Sequence, residues 1–245
     1  MANWSDPRPA AGAFRASVPG TRGATYDAGL RKYMLSVYNY MASGVLLTGI
    51  VALLFANSGM AAQVFNQPGF LKYLIMFSPL AFVMVLSFGI NRLSTATTQL
   101  LFWAFAGVMG LSMSTIFLVY TGTSIATTFF ATSVAFLSLS LYGYTTKRNL
   151  QAFGTFLIMG VVGIIVASLL NIWLQSSALQ MGISAIGVLL FAGLTAYDTQ
   201  RIKETYAHVA GSDMMGKAVI MGALSLYLDF INMFQFLLSF LGSRD

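Results

Sequence analysis

The sequence predicts an all-α membrane protein with seven transmembrane helices, and three observations predict it. Of the 245 residues, 57% are hydrophobic and only 8% are charged, against about 25% charged in a typical soluble domain. Seven apolar stretches each come near the ~20 residues that a helix needs to cross a bilayer. Lys and Arg gather in alternate connections between those stretches, as cytoplasmic loops do.

Residues 1–29 are rich in Ala, Gly and Pro, carry Arg8, Arg15 and Arg22, and contain no long apolar run. They read as a flexible cytoplasmic tail. They do not read as a cleaved signal peptide, because the basic part is too long and the first apolar run is of spanning length. The transmembrane domain takes up 30–245, with spans expected at about 34–56, 70–91, 99–120, 123–144, 151–174, 178–200 and 217–241. Only the turn around Gly122 separates spans three and four, and only Gln175-Ser176-Ser177 separates five and six, so both pairs are expected as tight antiparallel hairpins. Arg31 and Lys32 precede the first span, Arg92 closes the second, Lys147 and Arg148 link four to five, and Arg201, Lys203 and Lys217 link six to seven. The loops at 57–69, 121–122 and 175–177 hold no Lys or Arg. The amino terminus is therefore expected in the cytoplasm and the carboxyl end on the opposite side.

Several functions are excluded by composition. The net charge of +6 is dispersed over tail and loops, so no basic patch exists to follow a nucleic-acid backbone. The absence of cysteine removes disulfides, thiol catalysis and Cys-based metal sites. His208 alone cannot build a histidine-rich metal site and reads as an ordinary loop histidine. Gly107, Gly110, Gly160, Gly163, Gly182 and Gly187 read as small residues that let helices approach closely. No internal repeat supports an inverted-repeat transporter.

Two aspartates stand out, because Asp198 and Asp229 lie inside apolar spans. A carboxylate at the centre of a membrane helix costs about 2.5–3.5 kcal/mol on insertion scales, and such residues mark ion or proton paths. In the seventh span, Gly222, Ser225, Asp229, Asn232 and Phe236 recur at helical spacing and form one polar stripe. Asp229 lies roughly 16 Å in from the basic end, at 1.5 Å per residue. In the sixth span, Ser184, Gly187, Phe191, Thr195 and Asp198 share another stripe, and that helix has the pattern to continue toward Tyr206. Plainer readings stand beside these: Asp198 pairing locally with Arg201, Asp229 as a static anchor, and Arg92 as a topology-setting interfacial residue.

Phe191-Ala-Gly-Leu-Thr-Ala-Tyr-Asp-Thr-Gln-Arg-Ile-Lys203 resembles the sixth-helix signature of the Bax inhibitor (transmembrane Bax inhibitor motif) family. Gly222-Ala-Leu-Ser-Leu-Tyr-Leu-Asp-Phe-Ile-Asn232 resembles its seventh-helix signature, and Gly107–Phe117 and Ser140–Arg148 are similar to its bacterial branch. The resemblance covers about 30–242. It implies a seven-helix fold with helix 7 central and helices 1–6 around it, and a pH-sensitive calcium leak. It further implies that Asp198 and Asp229 form the pH sensor, contact calcium and line the ion path, and that Arg92 latches one of them. The loop containing Gly211, Ser212 and Asp213 is longer than the pattern leads one to expect.

Those residue types suit that chemistry. Calcium takes oxygen ligands, which two carboxylates supply with help from Thr195, Ser225 and Asn232 as polar path-lining groups. Carboxylates in contact cannot both ionise cheaply, so they titrate as a unit. The expectation is a channel of the bacterial inner (plasma) membrane with no cofactor, calcium ions and protons as its partners, and no enzymatic activity. The alternative is a regulator that binds a membrane-bound ATP-dependent protease or another stress-response partner. An intramembrane aspartyl protease is disfavoured, since helix 7 reads Leu-Tyr-Leu-Asp where Gly-x-Gly-Asp is needed and no Pro-Ala-Leu segment follows. A retinal photoreceptor lacks its buried lysine. Proton-coupled transport stays open.

Overall fold

The computed structural model describes residues 19–244, with side chains from Tyr26 onward. The expected tail therefore falls partly outside the described residues. Residues 19–29 of it fall within helix α1, which runs over Pro19–Asn57. Then follow α2 (Met60–Asn66), α3 (Leu71–Gly89), α4 (Thr95–Met113), α5 (Ile116–Val119), α6 (Gly122–Thr145), α7 (Gln151–Leu174), α8 (Ser177–Val209) and α9 (Met215–Leu241). Seven of these segments are long and apolar enough to cross a membrane, α4 and α5 together forming one of them. The short α2 lies in the 57–69 connection, where the sequence suggested only a loop. His208 sits in the exposed last turn of α8, not in a loop.

Helix ends follow elementary capping rules. Ser94, Thr121 and Ser176 accept from the backbone amides of Thr97, Ser124 and Leu179 at the starts of α4, α6 and α8, satisfying donors that have no partner within the helix. Lysines serve the opposite termini. Lys203 donates to the Tyr144 carbonyl at the end of α6 (2.8 Å), and Lys217 donates to the Ile90 carbonyl just past α3 (3.1 Å). Cations are favoured there by the helix dipole. These bonds, with Tyr26 packing on Tyr206, gather the basic connections at one end of the bundle.

Pro79 sits inside α3 and has no N–H to give the Ile75 carbonyl four residues before it. Two hydroxyls take over that carbonyl, Ser78 at 2.9 Å and Ser112 of α4 at 2.6 Å. A membrane-spanning helix tolerates proline when a neighbouring helix satisfies the freed group in this way.

The most buried span is α9. It packs most extensively on α8, then on α1, α6 and α4, whereas α3 packs chiefly on α4 and α7 chiefly on α8. Close approach depends on a subset of glycines. A Cβ on Gly110 would lie 2.7 Å from the Thr48 carbonyl, and one on Gly143 would collide with the Ala196 carbonyl. Gly160 and Gly187 are likewise filled against Leu190 and Phe236, but Gly107, Gly163 and Gly182 face open space. Half of the glycines expected at packing positions thus lie on faces that meet nothing. Sequence spacing names small residues but not the face a neighbour occupies. Gly143→Ala should lower the thermal midpoint in detergent by an overpacking cost of about 1–3 kcal/mol, while Gly107→Ala should leave it unchanged or raise it slightly.

Candidate functional site

The end of α8 is built residue by residue. Tyr197 lies against Gly154 of α7, so closely that a Cβ there would strike the ring. Thr199 donates to the Thr195 carbonyl at 2.8 Å, which leaves its oxygen to accept from Ser140 of α6, also at 2.8 Å. Ser140 in turn accepts from Tyr38 of α1. Buried Gln200 clamps the connection before α7, accepting from the Leu150 amide and donating to the Arg148 carbonyl, both at 2.8 Å. Ile202 packs against Gly222 of α9. One turn of helix is thereby tied to four neighbours, which fixes where Asp198 points.

Asp198 and Asp229 are both buried, 8% and 4% exposed. Both line one cavity of about 860 Å³. Its walls come from α3, α4, α7, α8 and α9, and it reaches from the two carboxylates past Asn232 and Gln235 to Tyr120 near the opposite end. Asp229 lies within the electrostatic reach of both Asp198 and Arg201. Its Oδ2 has no hydrogen-bond partner among the described residues. Leaving a buried acceptor without a donor costs about 1–3 kcal/mol.

The ion partner of Asp198 is Arg201, with Nη2 3.2 Å from Oδ1. The same nitrogen donates to Ser225 Oγ on α9 at 3.3 Å, and the guanidinium lies 5.6 Å from the Tyr197 ring centroid. One arginine thus joins α8 to α9 one turn before Asp229. Arg92 does not take this place. It lies exposed in the turn after α3, and among the described residues Asp198 forms its ion pair with Arg201. The physical reason is continuity: α8 runs on to Val209, so residues three apart share a face and Arg201 reaches Asp198 without crossing the bundle.

Ser225 and Asn232 line the cavity as expected, the latter also donating to the Leu228 carbonyl at 2.8 Å. Thr195 does not line it, because its hydroxyl is buried and donates to the Phe191 carbonyl at 2.8 Å. The sequence reading missed Ser112, Gln235 and Tyr120 as cavity residues. No group of three or more His, Cys, Asp or Glu side chains that could hold a metal occurs among the described residues. Asp198 and Asp229 are the acidic side chains that line the cavity.

The family model described as "Inhibitor of apoptosis-promoting Bax1" matches residues 30–245. The chain belongs to the Bax inhibitor family. It is 48% identical to an uncharacterized protein of Rickettsia prowazekii over 225 residues, covering 91% of this chain and 94% of that one. It is 48% identical to the inner membrane protein YbhL of Escherichia coli K12 over 220 residues, 89% and 94% of the two chains. An uncharacterized protein of Caulobacter vibrioides is 45% identical over 243 residues, 94% of this chain and 96% of the relative. This member of the Bax inhibitor family is a multi-pass membrane protein. Its two signature segments are the ones that bring Asp198 and Asp229 to a common cavity. Replacing Asp229 with Leu should raise the thermal midpoint in detergent, by roughly the 1–3 kcal/mol that an unpartnered buried acceptor costs. A fall in midpoint would mean that the aspartate is a structural anchor.

Proposed function

We propose that the cavity is a calcium leak path of the inner membrane, and that protons on the Asp198–Asp229 pair set its opening. The observation that carries this reading is a buried Asp229 oxygen without a hydrogen-bond partner among the described residues, on a cavity that a second carboxylate also lines. Carboxylates in that position offer a hard cation its preferred oxygens, and Ser225, Asn232 and Gln235 add neutral ones along the walls. The inner-membrane location follows the name of the Escherichia coli relative, and the basic end is the cytoplasmic one by the distribution of Lys and Arg.

The latch in this reading is Arg201. With the pair negatively charged, Arg201 holds Asp198 and Ser225 together and closes the cytoplasmic end. A proton added to the pair weakens that attraction and frees α8 from α9. Acid therefore favours opening. The same proton makes the carboxylates poorer calcium ligands, so flux need not rise steadily as pH falls. Arg201 is 49% exposed, and an ion pair of that kind contributes about 1 kcal/mol or less. The closed state is then favoured only modestly, as a leak path requires. Docking to a membrane protease, the alternative function, would fall to the tail, of which residues 1–18 lie outside the described part.

Liposomes loaded with a calcium-sensitive dye test this directly. Asp198→Asn and Asp229→Asn should each flatten the pH dependence of calcium flux. Arg201→Gln should raise flux near neutral pH by at most about fivefold, and Arg92→Gln should leave it at the wild-type level. Both asparagine variants keeping the wild-type pH profile would reject the sensor.

A further inference from the structure

Helices α1 and α6 both pack on α8 and α9 but hardly on each other. Between them runs a seam of three adjoining cavities of about 380, 410 and 330 Å³. Tyr38 and Leu137 wall both the first and the second, while Val45, Phe129 and Phe230 wall both the second and the third. Neighbouring cavities thus share walls along one line. It begins at Arg31 and Tyr144 and ends at Leu53 and Gly122. Arg31 to Leu53 spans about 33 Å of helix, close to the ~30 Å hydrocarbon thickness of a bilayer.

We propose that this seam binds a phospholipid of the leaflet at the basic end, with its phosphate at Arg31 and an acyl chain along the first two cavities. Three properties select that occupant. The walls are hydrocarbon: Leu35, Leu46, Leu137 and Leu141 are each more than half exposed, and the floor is Phe230, packed edge-on against Phe129 and Phe136. The seam is also long: from Arg31 to Leu46 the first two cavities follow about 22 Å of helix α1, the scale of one leaflet of a ~30 Å hydrocarbon core. Charge completes the match. Arg31 is exposed at one mouth of the seam, has no ion partner among the described residues, and faces no counterpart at the other mouth. A molecule with one anionic end and a long apolar chain fits that polarity. The proposal does not depend on the ion path.

Native mass spectrometry of the detergent-purified full chain tests it. The wild type should retain a phospholipid mass in simple stoichiometry through delipidating washes. Arg31→Glu should lower the retained fraction by roughly fivefold, the effect of one basic side chain at an anionic surface. Ser133→Trp, which places an indole in the second cavity, should lower it as well. Arg92→Glu, at the same end of the bundle but off the seam, should not. Retention by Arg31→Glu at the wild-type level overturns the proposal, and so does the absence of retained lipid in the wild type. A second copy or a partner polypeptide retained in place of lipid overturns it too. Because Arg31 is exposed, its replacement leaves the fold intact and keeps the test decisive even where Ser133→Trp fails to fold.

Discussion

The molecule is organised around two carboxylates that an apolar bundle would expel if it could. Burying a charge is tolerated only with compensation, and among the described residues it is incomplete: Arg201 serves Asp198, while one oxygen of Asp229 has no donor. A chain selected for stability alone would place an aliphatic side chain there. With Asp198, Asp229 lines a cavity of about 860 Å³, which makes that cavity the candidate site. The most extensive helix pairing among the described residues, α8 on α9, carries both groups.

Most of that positioning comes from seven consecutive residues. From Tyr197 to Lys203, successive side chains engage α7, Arg201, α6, the connection before α7, α9, α9 again and α6. Each bond is ordinary and individually contributes about 1 kcal/mol. Their joint effect is geometric: the last turns of α8 cannot shift without breaking contacts to several helices at once. Arg201 is the exception, since its guanidinium is half exposed and its two partners lie on either side of the α8–α9 boundary. Arg201 is the one exposed residue of these seven.

The span pattern was legible because the hydrophobic requirement of a bilayer is blunt. All seven expected segments match the observed helices to within a few residues apart from the two long ones, α1 and α8, which extend past the apolar run. The aspartates were legible for the same reason, as charges where none belong. What the sequence concealed was which faces meet. Gly107 and Gly110 look alike in sequence, yet one faces nothing and the other touches α1. Thr195 shares a stripe with Asp198 but turns its hydroxyl back to its own helix. The Asp198–Arg201 pair was legible as the plain local reading, three residues apart on one helix, whereas the resemblance pointed to Arg92, which lies exposed in the turn after α3. Ser112 could have been found: Pro79 removes a donor within a span, and a hydroxyl from a neighbouring helix is the natural replacement.

The account rests on Asp198 and Asp229 sharing one protonation equilibrium, and infrared difference spectroscopy of the carboxyl stretching bands measures that most directly. Asp198 is followed by pH titration in the wild-type protein and in a chain with asparagine at position 229. A coupled pair requires that the Asp198 band change its midpoint when its neighbour loses its charge. An Asp198 titration identical in the two proteins would show two independent acids, and neither a shared proton nor a pH-set latch could then be sustained.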